Sequence, residues 1–185
     1  YFKGERNGKG KEYNKNGELI FLGEYLDGKM WDGIGKEYNI NNKLIFEGEY
    51  LNGKKWKGKG YEYNDQITIE GEIINGEKIG KIKQYNKNGY LIFEGEFLSG
   101  GKWKGKEYDS NTDELIFIGE YLNGKRWIGK GKDYYDNGDL IIEGEFINGK
   151  RNGNTIEYDK YGRLIFEGNY LKGKRNGKGK EYYDN

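Results

Sequence analysis

Carboxylates recur along the chain in the same local sequence context, and they are the first residues whose type could support chemistry. They follow a glycine in the same local context at Glu24, Glu49, Glu72, Glu96, Glu120 and Glu145. Carboxylates can bind metals or act as general acid and base, but an acid–base pair needs two different environments. A regularly repeated column gives every member the same environment. We therefore predict cross-strand pairing with lysines such as Lys36, Lys59 and Lys132, and no catalytic or metal-binding role.

The chain has no cysteine and no histidine, which excludes thiol nucleophiles, Ser–His catalytic systems and the usual zinc sites. Three stretches, at 53–59, 100–106 and 124–130, imitate a phosphate-binding loop of the form Gly-x4-Gly-Lys. That motif requires Ser or Thr next and a helix behind it, but here Gly60, Glu107 and Gly131 follow. We predict no enzyme activity, no cofactor and no metal.

Four tryptophans occupy one recurring position, just after a predicted turn: Trp31, Trp56, Trp103 and Trp127. Two interpretations stay open. Each ring packs against its own hairpin, or the four form an exposed aromatic strip along one edge. Interfaces between proteins favour Trp and Tyr, so the second interpretation makes these residues candidates for partner binding.

Basic residues cluster at the same turns. Six of them are candidates for contact with anionic lipid: Lys54, Lys55, Lys125, Arg126, Lys150 and Arg151. Each charge held near such a surface contributes about 1 kcal/mol. The alternative is a solvated edge that keeps the protein soluble. The net charge of +1 gives no reason to expect nucleic-acid binding.

An internal repeat must position all of these residues. The glycine of an E-G-E core recurs at intervals of 23 to 25 residues, at Gly23, Gly48, Gly71, Gly95, Gly119, Gly144 and Gly168. A half repeat covers 1–18, and full repeats start near residues 19, 44, 67, 91, 115, 140 and 164. No linker separates them, so residues 1–185 form one continuous array. The array starts at a Tyr inside a repeat, and we expect the chain to be an excerpt of a longer protein.

Each repeat contains the pattern of a β-hairpin. In LIFEGEYL (44–51), Leu44, Phe46, Gly48 and Tyr50 point to one side and the intervening residues to the other. A second run, such as GIGKEY (33–38), is rich in glycine and needs a partner strand. The runs are joined by dipeptides that accept positive φ: Asp27-Gly28, Asn52-Gly53, Asn75-Gly76, Ser99-Gly100, Asn123-Gly124 and Asn148-Gly149.

These elements predict an all-β protein, an elongated single-layer antiparallel β-meander of tandem hairpins, solenoid-like, twisted and curved. Aromatic rings should stack between repeats over the columns of glycine, because glycine leaves room for a ring from the next strand. An extra residue beside some turns, as in KRWIG (125–129), should be absorbed by a bulge.

The repeat resembles the MORN (membrane occupation and recognition nexus) repeat, whose hallmark is an aromatic-x-G-E-aromatic run, an N-G-K turn, a G-x-G and a further aromatic. Phe46 to Tyr50, Asn52 to Lys54, Gly58 to Gly60 and Tyr63 match it position by position, as do residues 117–134 and 166–182. The third repeat departs from the pattern, with Ile69, Ile73 and Ile82 in place of two aromatics and a glycine. We expect the surface to be least regular at 67–108.

The resemblance implies a non-enzymatic scaffold that binds a partner protein segment, a peptide or a helix, along an aromatic-lined groove. The candidate contacts are Trp31, Trp56, Trp103, Trp127, Phe46, Tyr50, Phe117 and Tyr121. It also implies alternatives: peripheral binding to anionic phosphoinositide membranes, and self-assembly as a homodimer through the ends of the array. We expect a cytoplasmic protein with cytoskeletal or membrane association, which the absence of cysteine fits.

Overall fold

The computed structural model describes residues 2–98 and 101–183, and within these ranges the chain forms strands joined by turns, with no helix. The strands are β1 (Gly8–Tyr13), β2 (Leu19–Leu26), β3 (Lys29–Tyr38), β4 (Leu44–Leu51), β5 (Lys54–Tyr63), β6 (Ile67–Ile74), β7 (Glu77–Asn86), β8 (Leu91–Leu98), β9 (Gly101–Tyr108), β10 (Leu115–Leu122), β11 (Lys125–Tyr134), β12 (Leu140–Ile147), β13 (Lys150–Tyr158), β14 (Leu164–Leu171) and β15 (Lys174–Glu181). The prediction of an all-β protein is confirmed.

The strands form a 15-stranded sheet in which spatial order follows chain order, from β1 to β15. Neighbours pair antiparallel, as β4 does with β3 and with β5. This is the predicted meander of hairpins. By their contacts the strands divide into two compact units, β1 to β7 and β9 to β15, with β8 divided between them. We refer to these as the first and the second unit and describe each by itself.

Period-two alternation sorts the side chains onto two faces of each strand, as the sequence predicts. In β4, Phe46 and Tyr50 are buried, whereas Glu49 and Leu51 on the opposite side are exposed. We call the side that carries Phe46, Gly48, Tyr50 and their equivalents the ring face. The opposite side, with Ile45, Glu47, Glu49 and Leu51, is the glutamate face.

Paired glycines on neighbouring strands make room for the rings of the ring face. Gly23 pairs with Gly33 across β2 and β3. A Cβ atom added at Gly23 would lie 2.7 Å from the Cα of Gly33 and 2.8 Å from the Phe21 ring, and one at Gly35 would lie 2.9 Å from that ring. Phe21 therefore covers glycines on both strands, and it is completely buried there.

Rings from successive repeats meet above these glycines. In the first unit, the Phe21 ring centroid lies 5.0 Å from that of Tyr25 in its own strand and 5.8 Å from that of Tyr50 in the next hairpin, both edge to face. In the second unit, Phe117 contacts Phe146 in the same way, at 5.7 Å. Such pairs add about 0.5–1.5 kcal/mol beyond the area they bury. The predicted stacking between repeats is confirmed.

The irregular third repeat keeps the same arrangement with aliphatic side chains. Ile82 and Ile73 are buried, at 1% and 8% exposure. The Ile82 side chain covers Gly71, and the Ile73 side chain covers Gly60. A branched aliphatic chain on a glycine thus replaces the ring, and the ring face of the first unit continues through β6 and β7.

Turns with two residues of positive φ close the hairpins. Asn52 and Gly53 have φ values of 52° and 73°, and Asn148 and Gly149 have 52° and 71°. These values correspond to the type I′ turn, which Asn-Gly favours. The predicted turns at Asp27-Gly28, Asn75-Gly76 and Asn123-Gly124 also have positive φ at both residues. The predicted Ser99-Gly100 turn lies outside the described residues.

A bulge beside the turn absorbs the extra residue that the sequence contains there. In the pairing of β4 with β5, Tyr50 faces Lys55 and Glu49 faces Lys57, so the register passes over Trp56. The pairing of β10 with β11 passes over Trp127 in the same manner. Trp56 and Trp127 are therefore bulged residues, as is Trp31 in the pairing of β2 with β3, and the predicted bulge is confirmed in these hairpins.

We expect Gly48→Ala to destabilise the protein by about 3 kcal/mol, in the range of overpacked cores. The added methyl group would overlap the carbonyl oxygen of Lys57 and lie 2.6 Å from the Cα of Gly58. The measurement is urea denaturation followed by circular dichroism. Gly101→Ala is the matched control, because a Cβ there meets no atom within 4 Å. Equal midpoints for the two variants would contradict the role given to the paired glycines.

Candidate functional site

Charged side chains form a repeating ladder on the ring face, built from three successive strands. In the first unit, the Tyr50 hydroxyl donates a hydrogen bond to Glu37 Oε1 at 2.6 Å. Lys55 Nζ lies 2.8 Å from Glu37 Oε2 and 5.2 Å from the centroid of the Phe46 ring. Burial, together with the bond to Glu37, raises the pKa of Tyr50 well above its ordinary value. In the ladder, the carboxylate thus accepts the hydrogen bond of the buried Tyr50 hydroxyl, and the lysine lies over the buried Phe46 ring.

A related arrangement occurs one hairpin earlier, but Met30 lies opposite Tyr25 there, and the cation is Arg6, which precedes β1. The Tyr25 hydroxyl donates to Glu12 at 2.8 Å, and Arg6 pairs with the same carboxylate at 2.7 Å. Burial and the bond to Glu12 raise the pKa of Tyr25 to about 12. The carboxylate, the hydroxyl and the cation satisfy one another. The repeated carboxylates of the ring face thus have a structural use.

Arginines extend the ladder through the second unit. Arg126 pairs with Glu107 at 2.8 Å and with Asp133 at 3.1 Å. Arg151 is buried, lies 4.1 Å from the Phe146 ring centroid, and donates to the carbonyl oxygen of Gly131 at 2.7 Å. It also pairs with Asp133 at 2.5 Å. A buried guanidinium needs such partners, because a buried charge without them would be strongly destabilising.

Lys102, a further cation on the ring face of the second unit, has a pKa that is shifted by burial. Lys102 Nζ lies 4.3 Å from the Phe93 ring centroid and 3.6 Å from Glu107. Burial lowers the pKa of Lys102, and the attraction of Glu107 only partly offsets the effect. The side chain covers Phe93, and we assign it no catalytic role.

Ion pairs on the glutamate face differ in part from the prediction. Lys36 and Lys59 pair with Glu47 and Glu70, the first glutamates of their E-G-E cores, at 3.1 and 3.9 Å. Lys132 contacts Glu143, again a first glutamate, and also pairs with Glu114. In the predicted column of second glutamates, Glu96 pairs with Lys104 at 3.3 Å and Glu145 with Lys130 at 3.9 Å. Strand register explains most of these pairs, because Lys36, Lys130 and Lys132 lie directly opposite Glu47, Glu145 and Glu143.

The carboxylates are not gathered into a metal site. Across residues 2–98 and 101–183, no group of three or more acidic side chains has the geometry to hold a metal ion. The stretches that imitate a phosphate-binding loop at 53–59 and 124–130 form a turn and a strand, and no helix follows either of them in the described ranges. The stretch at 100–106 begins at a residue outside the described ranges, and its remainder lies in β9.

The four tryptophans are not equivalent in their surroundings. Trp56 and Trp103 are both 41% exposed, and Lys104 lies 4.7 Å from the Trp103 ring centroid. Trp31 is half-buried, and its ring would lie 3.1 Å from a Cβ at Gly53, in the next turn. Trp127 has the corresponding contact with Gly149 at 3.5 Å. Trp56 and Trp103 are therefore exposed, as the second interpretation expects. Trp31 and Trp127 pack, but on the turn of the next hairpin and not on their own as the first interpretation had it.

The other four predicted partner contacts lie beneath the surface. Phe46 and Phe117 are 0% exposed, and Tyr50 and Tyr121 are 7% and 5% exposed. Their rings cover the paired glycines and are themselves covered by the cations of the ladder. A partner that meets the folded surface would reach the neighbouring residues of the turns instead.

The six predicted basic contacts divide between the two faces. Lys54, Lys125 and Lys150 are exposed, whereas Lys55, Arg126 and Arg151, the next residue in each case, are drawn into the ladder on the ring face. Alternation along the strand causes the division. The ladder carboxylates neutralise half of the predicted basic stripe.

Exposed aliphatic residues at the turns were missed by the sequence reasoning. The residue just before each turn dipeptide of the sequence is exposed, namely Leu26, Leu51, Ile74, Leu98, Leu122, Ile147 and Leu171. The signal was available, because alternation places this residue on the face opposite to Phe and Tyr in every repeat. With the exposed lysines, these residues are the candidate interaction residues of each unit, joined by Trp56 in the first unit and by Trp103 in the second.

A shallow groove of about 360 Å³ lies on the second unit, against its glutamate face. Ile118 and Ile156 line it together with Lys130 and Glu143. Ile118 occupies the position that holds a glutamate in most repeats, so the lining is aliphatic and charged. Phe117, one of the predicted aromatic contacts, also borders the groove, but its side chain is 0% exposed.

Two comparisons with known proteins bear on identity. A scan against models of protein families and a search of curated proteins both find no match. The resemblance to the MORN repeat therefore stays a prediction. In the described part of the chain we find no long apolar helix of the kind that crosses a membrane.

The ladder predicts a specific loss of stability in acid. Burial disfavours the charged form of Glu157, but hydrogen bonds from Arg175 and Tyr170 outweigh it and lower its pKa below the ordinary value of 4.5. A lowered pKa contributes stability that is present above pH 4.5 and is lost as the pH falls through the folded-state value. Glu157→Gln should therefore lower the urea midpoint at neutral pH, and the difference from the native chain should shrink in acid.

The control for this experiment is Glu120→Gln, at an exposed position of the glutamate face. Urea denaturation of both variants at a series of pH values compares them. If the difference between Glu157→Gln and the native chain did not change with pH, the ion-pair contribution would be refuted.

Proposed function

We propose that this chain is a non-enzymatic scaffold of the MORN type that binds a segment of a partner protein at the turn ends of its hairpins. The observation that carries the proposal is the repeated presentation of exposed apolar side chains at one position of the hairpin. Trp56 in the first unit and Trp103 in the second have exposed rings, and Leu51, in the same hairpin as Trp56, is exposed as well. Trp is one of the residues enriched in the hot spots of protein interfaces.

The organisation of the chain supports a binding role over a catalytic one. Every hairpin presents nearly the same side chains, which favours weak contacts made in series along an extended partner. A catalytic site needs groups in distinct environments at one place. The ladder carboxylates instead have the same partners, a Tyr hydroxyl and a cation, in successive hairpins. We therefore propose no enzyme activity.

One alternative has an observation in its favour, namely peripheral binding to anionic phospholipid. Lys54, Lys125 and Lys150 are exposed at the turns, and each lies opposite an exposed aliphatic residue. Aliphatic side chains and lysines side by side suit the boundary between lipid headgroups and acyl chains. The column of glutamates on the same face opposes this binding.

We expect Trp56→Ala combined with Trp103→Ala to reduce the binding of selected peptides by at least about thirtyfold, since truncating one hot-spot residue can cost about 2 kcal/mol or more. The probes are peptides selected on the native chain from a random display library, and fluorescence anisotropy measures their affinity. Trp127→Ala is the control, because that ring packs on Gly149. A selection that enriches no peptide, or one that yields peptides insensitive to Trp56 and Trp103, would count against the proposal.

The lipid alternative predicts that the chain sediments with phosphoinositide vesicles at low salt and is released as salt screens the charges. Replacing Lys54, Lys125 and Lys150 together by Glu should abolish sedimentation. The matched control replaces Lys15, Lys87 and Lys160 by Glu, because these exposed lysines lie in the turns at the other end of the strands. Equal effects of the two triple variants would show that only overall charge matters.

A further inference from the structure

Each hairpin turn of the second unit holds an aliphatic residue and a lysine directly opposite one another. The cross-strand pairs are Leu122 with Lys125, Ile147 with Lys150 and Leu171 with Lys174. The three aliphatic residues are 47%, 43% and 49% exposed, and the three lysines are exposed as well. Members of a cross-strand pair point to the same face of a sheet. We call these six residues the aliphatic–lysine row.

The three lysines of the row have free charges. In the described part of the chain, none of them forms an ion pair, whereas the next residue in each case does. Arg126 and Arg151 pair with Asp133, and Arg175 pairs with Glu157. The row therefore presents unpaired lysine charges that alternate with exposed aliphatic side chains.

The spacing of the row selects the conformation of its occupant. Strands lie about 4.8 Å apart, so aliphatic residues recur about every 9.6 Å, with a lysine halfway between. Seven residues of an α-helix rise about 10.5 Å and three residues about 4.5 Å. An extended peptide matches poorly. Its residues on one side recur about every 6.6 Å, and the residue near 10 Å points the opposite way.

We propose that the aliphatic–lysine row of the second unit is the docking site for an amphipathic, acidic α-helix of a partner protein. The helix has an aliphatic residue at every seventh position and a carboxylate three residues after it. The aliphatic residues rest on Leu122, Ile147 and Leu171, and the carboxylates meet the lysines between them. This inference rests on the proposed scaffold function and specifies its partner.

The charges beside the row favour a helix over a membrane. Glu120 and Glu145 lie two residues before Leu122 and Ile147, on the same face, and Glu120 is exposed. A flat anionic membrane would meet these carboxylates together with the lysines. The surface of a helix is cylindrical and touches the sheet only along a narrow line. Its carboxylates can therefore lie on the lysines without approaching Glu120 and Glu145.

The first unit supplies a natural comparison. Leu26 pairs with Lys29 and Leu51 with Lys54, but Ile74 faces Glu77. At the third hairpin turn of the first unit, Glu77 would repel a carboxylate of the helix, whereas Lys174 at the third turn of the second unit would attract it. The acidic helix should prefer the second unit.

The test uses the whole chain and synthetic helical peptides of three heptads, each with Leu at position one and Glu at position four. Two peptides are controls. In one, Lys replaces Glu, and in the other an inserted residue makes Leu recur at every eighth position. Fluorescence anisotropy measures the affinities, and circular dichroism confirms that every variant is folded. We expect the acidic heptad peptide to bind at least about tenfold more tightly than either control, a difference of about 1.4 kcal/mol.

Variants locate the site. Lys125, Lys150 and Lys174 replaced together by Glu should abolish binding of the acidic peptide and should allow the Lys peptide to bind. Lys29→Glu with Lys54→Glu, in the first unit, should change either affinity less than twofold. The charge-reversal rescue distinguishes a direct contact from a loss of folding.

Three results would overturn the inference. The acidic peptide binds no better than its controls, or its binding ignores the second-unit lysines, or those lysines bind phosphatidylserine vesicles while no peptide binds. If library peptides that depend on Trp56 and Trp103 still bind in these cases, the scaffold function stands and only the helical partner is wrong. If the library also yields nothing, both proposals fail.

Discussion

The contact of an aromatic ring with a pair of glycines on neighbouring strands is the constraint on which the rest of this protein depends. A chain that is one-third charged cannot build a large core. It buries single rings instead, each lying on bare backbone. Phe21 is fully buried on a sheet face only because Gly23, Gly33 and Gly35 carry no Cβ to hold it away.

The polar ladder follows from that contact. A ring on a sheet face still exposes its outer side, and the cation after each turn covers it, as Arg151 covers Phe146 at 4.1 Å. The cation in turn needs a carboxylate, and Glu37 or Asp133 supplies one. The recurring spacing of charges on the ring face therefore serves stability, and in the described residues the exposed apolar side chains before the turns lie on the glutamate face.

The positions of most candidate surface residues could be predicted from the sequence. Which of those residues are exposed in the folded protein could not. The turns, the two faces and the bulge position follow from local rules of alternation and turn chemistry. The division of Lys54 from Lys55 also follows from alternation, yet a run of basic residues suggests one common stripe. Whether Trp56 is exposed and Trp31 packed depends on what the next hairpin places beside each ring, such as Gly53.

The sequence by itself determined the repeat, the hairpin, the meander and the residues that face one another, because each is set within about two dozen neighbouring residues. The tertiary structure decided which of those residues remain available. Phe46, Tyr50, Phe117 and Tyr121 are buried, and Arg126 and Arg151 are neutralised, through contacts between one hairpin and the next. Burial and charge pairing across hairpins depend on distances between separate strands, and no local pattern contains those distances.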